Sequence, residues 1–462
     1  MSPAAYLADH AWLGGGQARS DVLIHVEGER IRSVTPGVRA APAGAVRLRG
    51  LTIPGMANAH SHAFHRALRG RTHRGGGTFW TWRDDMYAIA SRLTPDSYLD
   101  LARATYAEMA LAGITAVGEF HYLHHGPGGR PYAAANAMGE ALIAAAAEAG
   151  IRITLLDACY LTGAPGAPLE GPQLRFGDGD ADAWAARASQ LSGAAHARIG
   201  AAIHSVRAVP ADQLSTVAAW AAERDAPLHV HLSEQRAENA ACRAHHGCTP
   251  TELLARHGAL GPRSTAVHAT HLTDGDVAAL AGSRTTVCMT PTTERDLADG
   301  IGPARELATA GSPLSLGSDS NAVIDLLEEA RSLEMDERLR TERRGHWTAA
   351  ELLTAATADG HACLGWADAG RIEAGALADL TTVSLDSVRL AGWAAGSLLE
   401  SLVFAGGAPD VTDVVVGGRA VVRDRQHVTV GDVAGRLHRA IAGVTDAPVC
   451  LPPGGTGAGV SP

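Results

Sequence analysis

Leu51-Thr52-Ile53-Pro54-Gly55-Met56-Ala57-Asn58-Ala59-His60-Ser61-His62 passes from an apolar strand through a Pro-Gly turn to two imidazoles. Side chains at i and i+2 on extended backbone leave the same face. His60 and His62 therefore converge, and two convergent imidazoles at one strand end can grip a divalent ion. A single His-x-His pair is weak evidence in a chain with 22 histidines. Its weight depends on what the remaining sequence sets beside it.

Seven further apolar stretches follow 51–53, near 114–118, 151–156, 198–203, 227–232, 265–267, 285–289 and 314–317. Alanine-rich helical patterns cover 95–112, 133–149, 211–223, 249–257 and 274–279. Such alternation implies βαβ units and a parallel sheet, hence an α/β fold. Eight strands favour a closed (β/α)8 barrel over an open sheet. The chain ends have a different character. Residues 21–26 and 30–34 alternate about a turn at Gly28, and 46–48 adds a short strand. Residues 378–383, 411–416 and 420–422 are strand-like again, with Gly417-Gly418 as a hairpin turn. The two ends, 1–50 and 371–450, are expected to form one small β-sandwich domain around a barrel of 51–370. The Gly/Pro-rich residues 451–462 are expected to be a disordered tail.

Composition removes whole classes of function. A formal net charge of −10 argues against a nucleic-acid partner. No apolar run reaches the length of a membrane helix, and the first residues do not form a basic-then-apolar leader, so a cytoplasmic protein is expected. The six cysteines lie apart without a CxxC pair, which suits reduced thiols. All 39 basic residues are arginine. The absence of lysine excludes Schiff-base catalysis, a pyridoxal anchor, a P-loop and a carbamylated lysine bridging two metals.

In such barrels the chemistry sits at the C-terminal strand ends. Strand one ends in His60 and His62, strand four in His204-Ser205-Val206-Arg207, and strand five runs His229-Val230-His231-Leu232-Ser233-Glu234. Strand six ends at His268 and strand eight in Gly317-Ser318-Asp319-Ser320-Asn321. Any one of these is most simply a polar residue holding a loop; five together point to a site. His60, His62, His231 and Asp319 supply three nitrogens and one oxygen, a set that suits one divalent ion, zinc or iron, with a position open for water. His231 is preferred to His229, on the same face, because it is nearer the strand end and three residues before Glu234. Beside a metal-bound hydroxide, Glu234, His268 and Asp319 are the candidates for proton transfer and charge stabilisation.

This set resembles the amidohydrolase superfamily, and Gly370-Arg371-Ile372-Glu373-Ala374-Gly375-Ala376-Leu377-Ala378-Asp379-Leu380 is similar to that superfamily's return into the small β domain. The missing lysine points to its one-metal branch. His60-Ser61-His62-Ala63-Phe64, Phe79-Trp80-Thr81-Trp82-Arg83, Val117-Gly118-Glu119-Phe120-His121-Tyr122-Leu123-His124-His125 and His231-Leu232-Ser233-Glu234-Gln235 more narrowly resemble the formimidoylglutamate deiminase family. That resemblance implies hydrolysis of N-formimidoyl-L-glutamate to N-formyl-L-glutamate and ammonia, in histidine breakdown, by a homodimer. It implies that Arg83, Tyr122, His204 and Arg207 hold a dianionic substrate. Arginine forks suit carboxylates on independent grounds. The family usually has glutamine where this chain has His65, which can still donate a hydrogen bond to a substrate carboxylate or can mark a different substrate.

Two other functions compete. A one-metal deaminase of a purine, pterin or triazine ring would want aromatic stacking, where this sequence offers arginines. A barrel that only binds would lack tightly held metal. His124-His125, His245-His246, Arg343-Arg344 and the run Arg66, Arg69, Arg71, Arg74 are expected to be solvated, and 162–182 to be a long loop over the barrel mouth, able to act as a lid.

Overall fold

The computed structural model describes residues 5–73 and 79–445. Eight parallel strands follow one another in chain order: Met56–Ser61, Ile114–His121, Arg152–Cys159, Ala197–Ile203, Leu228–Leu232, Ser264–His268, Thr286–Met289 and Leu314–Leu316. Helices fill the intervals, among them Pro95–Leu111, Ala137–Ala149, Ala211–Glu223, Pro250–Arg256 and Asp274–Gly282. Their starts follow local chemistry: Thr249 and Glu252 form a reciprocal cap, each satisfying an amide that the first helical turn leaves without a partner. The barrel closes between its first and eighth strands. The Asp319 amide donates to the His60 carbonyl at 2.9 Å, and the His62 amide to the Asp319 carbonyl at 3.0 Å. Gly317 permits this seam, since a Cβ there would lie 2.8 Å from the His60 backbone and Cβ.

A second sheet is built from both ends of the chain. Ala5–Ala11, Arg19–Glu27, Arg30–Thr35 and Val46–Pro54 join Leu380–Val383, Val411–Val416, Arg419–Arg423 and Gln426–His427 in one mixed eight-stranded sheet. The halves meet where Leu380–Val383 runs antiparallel to Val46–Pro54, pairing Leu380 with Pro54 and Val383 with Leu51. Arg152 of the third barrel strand, almost fully buried, makes a two-pronged bond to Asp379 at 2.8 and 3.1 Å. This ties the barrel to the sheet with geometry that satisfies both charges.

The strand expected at 51–53 belongs to this second sheet, not to the barrel. Pro54 and Gly55 interrupt the apolar run, the Gly55 amide bonds the Asp379 carbonyl at 2.8 Å, and the barrel begins at Met56. Both halves of the run are buried, so hydrophobicity alone could not divide them. The 162–182 segment is pinned rather than loose. It contains the short helical turn Gly171–Arg175, and the buried Arg175 guanidinium bonds the carbonyls of His125, Ala90 and Leu93. No helix among the described residues is long and apolar enough to cross a membrane. The expected tail at 451–462 lies outside the described residues.

Candidate active site at the barrel mouth

The strand ends bring the candidate residues together. His60 Nε2 lies 3.1 Å from His231 Nε2, and Asp319 Oδ1 lies 3.3 Å from both His60 Nε2 and His62 Nε2. Four ligands held about 2.0–2.2 Å from a tetrahedral zinc ion stand about 3.4 Å apart. These three separations are close to that spacing, and the nitrogens of His60, His62 and His231 all lie within 4.8 Å of one another. Protonation agrees. Burial pushes His60 down to about 3, and pushes His62 and His231 below the ordinary histidine range. His62 Nδ1 donates to the Phe120 carbonyl at 2.9 Å, which leaves its Nε2 as a bare lone pair facing Asp319. Burial also opposes the charge on Asp319, but the hydrogen bond from His60 and the nearby imidazoles hold it well below the usual carboxylate range. Three neutral imidazoles and a carboxylate converging in a buried space fit a divalent cation. His229, the alternative on strand five, is buried elsewhere, with Nε2 3.3 Å from the Cys363 carbonyl.

The proton-handling candidates border this grouping. His268 Nε2 stands 3.9 Å from Glu234 Oε1 and 4.0 Å from Asp319 Oδ2. Its Nδ1 is 3.1 Å from Thr290 Oγ1 and 3.7 Å from Glu294 Oε1. Burial works against the His268 imidazolium, yet Glu234, Glu294 and Asp319 outweigh it and lift the ring to about 10. Burial raises Glu234 above the usual carboxylate range, against the opposing pull of His268. The backbone is strained at these strand ends: Ser233, His268, Asp319 and Asn321 have φ of 51°, 67°, 42° and 55°. Positive φ in non-glycine residues persists only where surrounding bonds impose it. Asn321 shows how: its amide donates to the His62 carbonyl at 2.9 Å, while Asn58 and Ser318 close the network beneath it.

One cavity opens onto this grouping, and His65, Arg83, Tyr122, His204 and Arg207 all line it. Tyr122 Oη and His65 Nε2 are 2.9 Å apart, so these two are bonded to each other as well as facing the space. The walls are more aromatic than the arginine-weighted sequence reading anticipated, with Trp82, Tyr87, Tyr160 and Phe176 also in the lining. Trp82 and Tyr87 share the helix Phe79–Ala90 with Arg83, whereas Tyr160 and Phe176 come from distant segments and carry no spacing signal. Glu294 and Thr290, which hold His268, were missed for the same reason. In the sequence Glu119 is one residue of the Val117–His125 motif, with no role of its own. Burial lifts it to about 8, against the Ala63 amide that donates to it at 2.7 Å just past the paired imidazoles.

Two expectations of solvated residues fail. His124 and His125 are buried, because both backbone amides bond the Arg175 carbonyl, at 3.0 and 2.9 Å, and the 175–178 segment covers them. His125 Nε2 reaches Asp178 at 2.9 Å. Arg66 and Arg69 are half-buried and share Glu108 at 2.7 and 2.6 Å; Arg74 lies outside the described residues. His121, His124 and Asp157 make a second buried grouping of possible metal-ligand type. There, however, Arg187 holds both Asp157 oxygens, at 2.9 and 2.8 Å, and Trp184 Nε1 adds a third bond at 2.8 Å.

Residues 51–421 match the Amidohydrolase family. The chain is 38% identical over 439 residues to formimidoylglutamate deiminase of Pseudomonas aeruginosa, covering 92% of this chain and 96% of that one. Among solved structures it is similar to an amidohydrolase from Brucella melitensis, with a TM-score of 0.88 and 33% identity over 95% of this chain and 99% of that one. It is also similar to an adenosine deaminase from Xanthomonas campestris with bound zinc, with a TM-score of 0.81 and 25% identity over 95% and 97%. The chain belongs to the amidohydrolase family and is a hydrolase acting on C–N bonds.

Proposed function

We propose that the chain hydrolyses N-formimidoyl-L-glutamate to N-formyl-L-glutamate and ammonia. The observation that carries this is the cavity lining: Arg83 and Arg207, with Tyr122 and His204, share one space with His62, His231 and Asp319. Arginine forks beside a cation-binding grouping suit a small substrate with two carboxylates and one hydrolysable C=N carbon. The extensive likeness to the Pseudomonas deiminase supports the same choice.

His60, His62, His231 and Asp319 would hold one divalent ion, zinc or iron, which when bound supplies Lewis acidity and lowers the pKa of water. The chain's own groups do the rest. In the overall reaction water oxygen bonds to the formimidoyl carbon, the bond to the terminal nitrogen breaks, and that nitrogen leaves as ammonia. Glu234 is placed to take a proton from water and pass it to the departing nitrogen, since burial favours its protonated form and His268 favours its ionised form. His268 donates a hydrogen bond toward the attacking oxygen, with Glu294 and Thr290 fixing its ring. Asp319 acts both as an ion-holding group and as an acceptor for the second water proton. Arg207, Arg83, Tyr122, His204 and His65 orient the carboxylates. By resemblance the enzyme acts in histidine breakdown, in the cytoplasm and as a homodimer.

Ammonia release from formimidoylglutamate, formimidoylaspartate, N-guanidinoglutamate and adenosine tests the assignment. Formimidoylglutamate should be used best. The aromatic lining favours the ring-deaminase alternative, and preferential turnover of adenosine would establish that instead. Arg207→Ala should raise KM for formimidoylglutamate about 10–100-fold while metal stays bound; unchanged kinetics would remove Arg207 from the site.

A further inference from the structure

Glu238 lines the same cavity beside Glu234, Arg207 and His268, and it has no part in the chemistry above. It stands in the first turn of the helix Arg236–His246 and is only 8% exposed. Its carboxylate is divided in its duties. The Glu234 backbone acts on one side of it, favouring the charged form. Oε1, by contrast, is buried and has no hydrogen-bond partner. A buried acceptor without a donor is costly, and a ligand that brings an N–H removes that cost.

An amidine is a strong base and is protonated at neutral pH, so formimidoylglutamate carries one delocalised positive charge as well as its carboxylates. The amide product carries none. Resting on the formimidoylglutamate assignment, we propose that Glu238 accepts an N–H of the substrate's amidinium and selects cationic amidines over neutral amides. Arginines and carboxylates in one cavity then match a ligand that bears both signs of charge. Hydrolysis erases the positive charge, and with it the contact that favours substrate over product. Burial raises the Glu238 carboxyl to about 7, against Arg207, and an arriving cation favours its ionised form.

The test compares the metal-loaded native enzyme with Glu238→Gln and Glu238→Asp. Ammonia release gives kcat and KM for formimidoylglutamate. Calorimetry gives dissociation constants for N-guanidinoglutamate, whose guanidinium is cationic, and for N-formylglutamate, whose formamide is neutral. In Glu238→Gln, KM and the dissociation constant of the cation should rise about tenfold. The kcat should stay within about threefold and the affinity for N-formylglutamate within about twofold; that retained affinity also reports an intact fold. Glu238→Asp, which keeps the charge on a shorter stem, should fall between. An unmoved cation affinity overturns the proposal. Equal weakening toward both ligands also overturns it, because Glu238 would then merely position Arg207. If the native enzyme releases no ammonia from formimidoylglutamate, the substrate assignment fails by itself, and the two dissociation constants still decide the role of Glu238.

Discussion

At the barrel mouth, His60 Nε2 lies beside His231 Nε2, and His60 and His62 both turn Nε2 toward Asp319. Where the second strand ends, His121 and the loop residue His124 face Asp157 of the third strand, fully buried and similar in composition. The two groupings differ in where the carboxylate lone pairs go. Asp319 has imidazoles as its close side-chain neighbours, while Asp157 is gripped by Arg187, which also reaches Asp178 at 2.8 and 2.9 Å. His124 differs too: Nε2 donates to the Ala158 carbonyl at 2.8 Å, and burial followed by Arg187 pushes the ring down to about 4. A dication there would have to displace Arg187 from Asp157 and Asp178, whereas no arginine among the described residues is seen bonded to Asp319. Ligand type and closeness therefore do not make a metal centre; uncommitted lone pairs and a neighbourhood without a competing cation do.

The largest expected effect lies at the mouth. Asp319→Asn should reduce bound metal from about one equivalent per chain to almost none and abolish ammonia release, measured by elemental analysis and a coupled assay. Two equivalents in the native protein, one of them lost in His121→Ala, would break the contrast. Next, Glu234→Ala should keep the metal but lower kcat about 10²–10⁴-fold; near-normal turnover would end its proton-transfer role.

At the second grouping the expected loss is of stability. Arg187→Met leaves Asp157 and Asp178 buried without their partner, at a cost of about 3–5 kcal/mol in denaturant unfolding, with metal content unchanged in the folded fraction. Burial opposes the charge on both carboxylates. Arg187 and His124 overcome it for Asp157, and His125 and Arg187 for Asp178, so both are held below their ordinary range. Depressed carboxylates contribute stability above their unfolded pKa and lose it as pH falls. The gap between native protein and variant should therefore narrow below about pH 4. A pH-independent gap would show that packing, not charge, is lost. The smallest effect belongs to His124→Gln, about 1 kcal/mol for one hydrogen bond, with metal content unchanged; any loss of metal there would erase the distinction between the groupings.

Much of this architecture is readable along the chain. Strand–helix alternation marks the barrel because burial on both faces makes parallel strands apolar and their helices amphipathic. The hairpin at Gly417-Gly418 is equally plain, with both glycines at positive φ between Val411–Val416 and Arg419–Arg423. Convergence of His60 with His62 follows from a two-residue period, which is local. His121, His124 and His125 were legible only as letters, since nothing in their spacing distinguishes a solvated histidine from one sealed beneath residues 175–178.

Local period and the order of strands are properties of consecutive residues, so the sequence by itself determined the barrel, the sheet drawn from both ends, and which side chains stand at strand ends. Where Leu51–Met56 divides between two sheets, which histidine grouping keeps its lone pairs, and how Glu238 comes to face the cavity were decided only by the tertiary structure. Each of those depends on partners far away in the chain (Asp379, Arg187, Arg207), and desolvation and charge act through space rather than along the backbone.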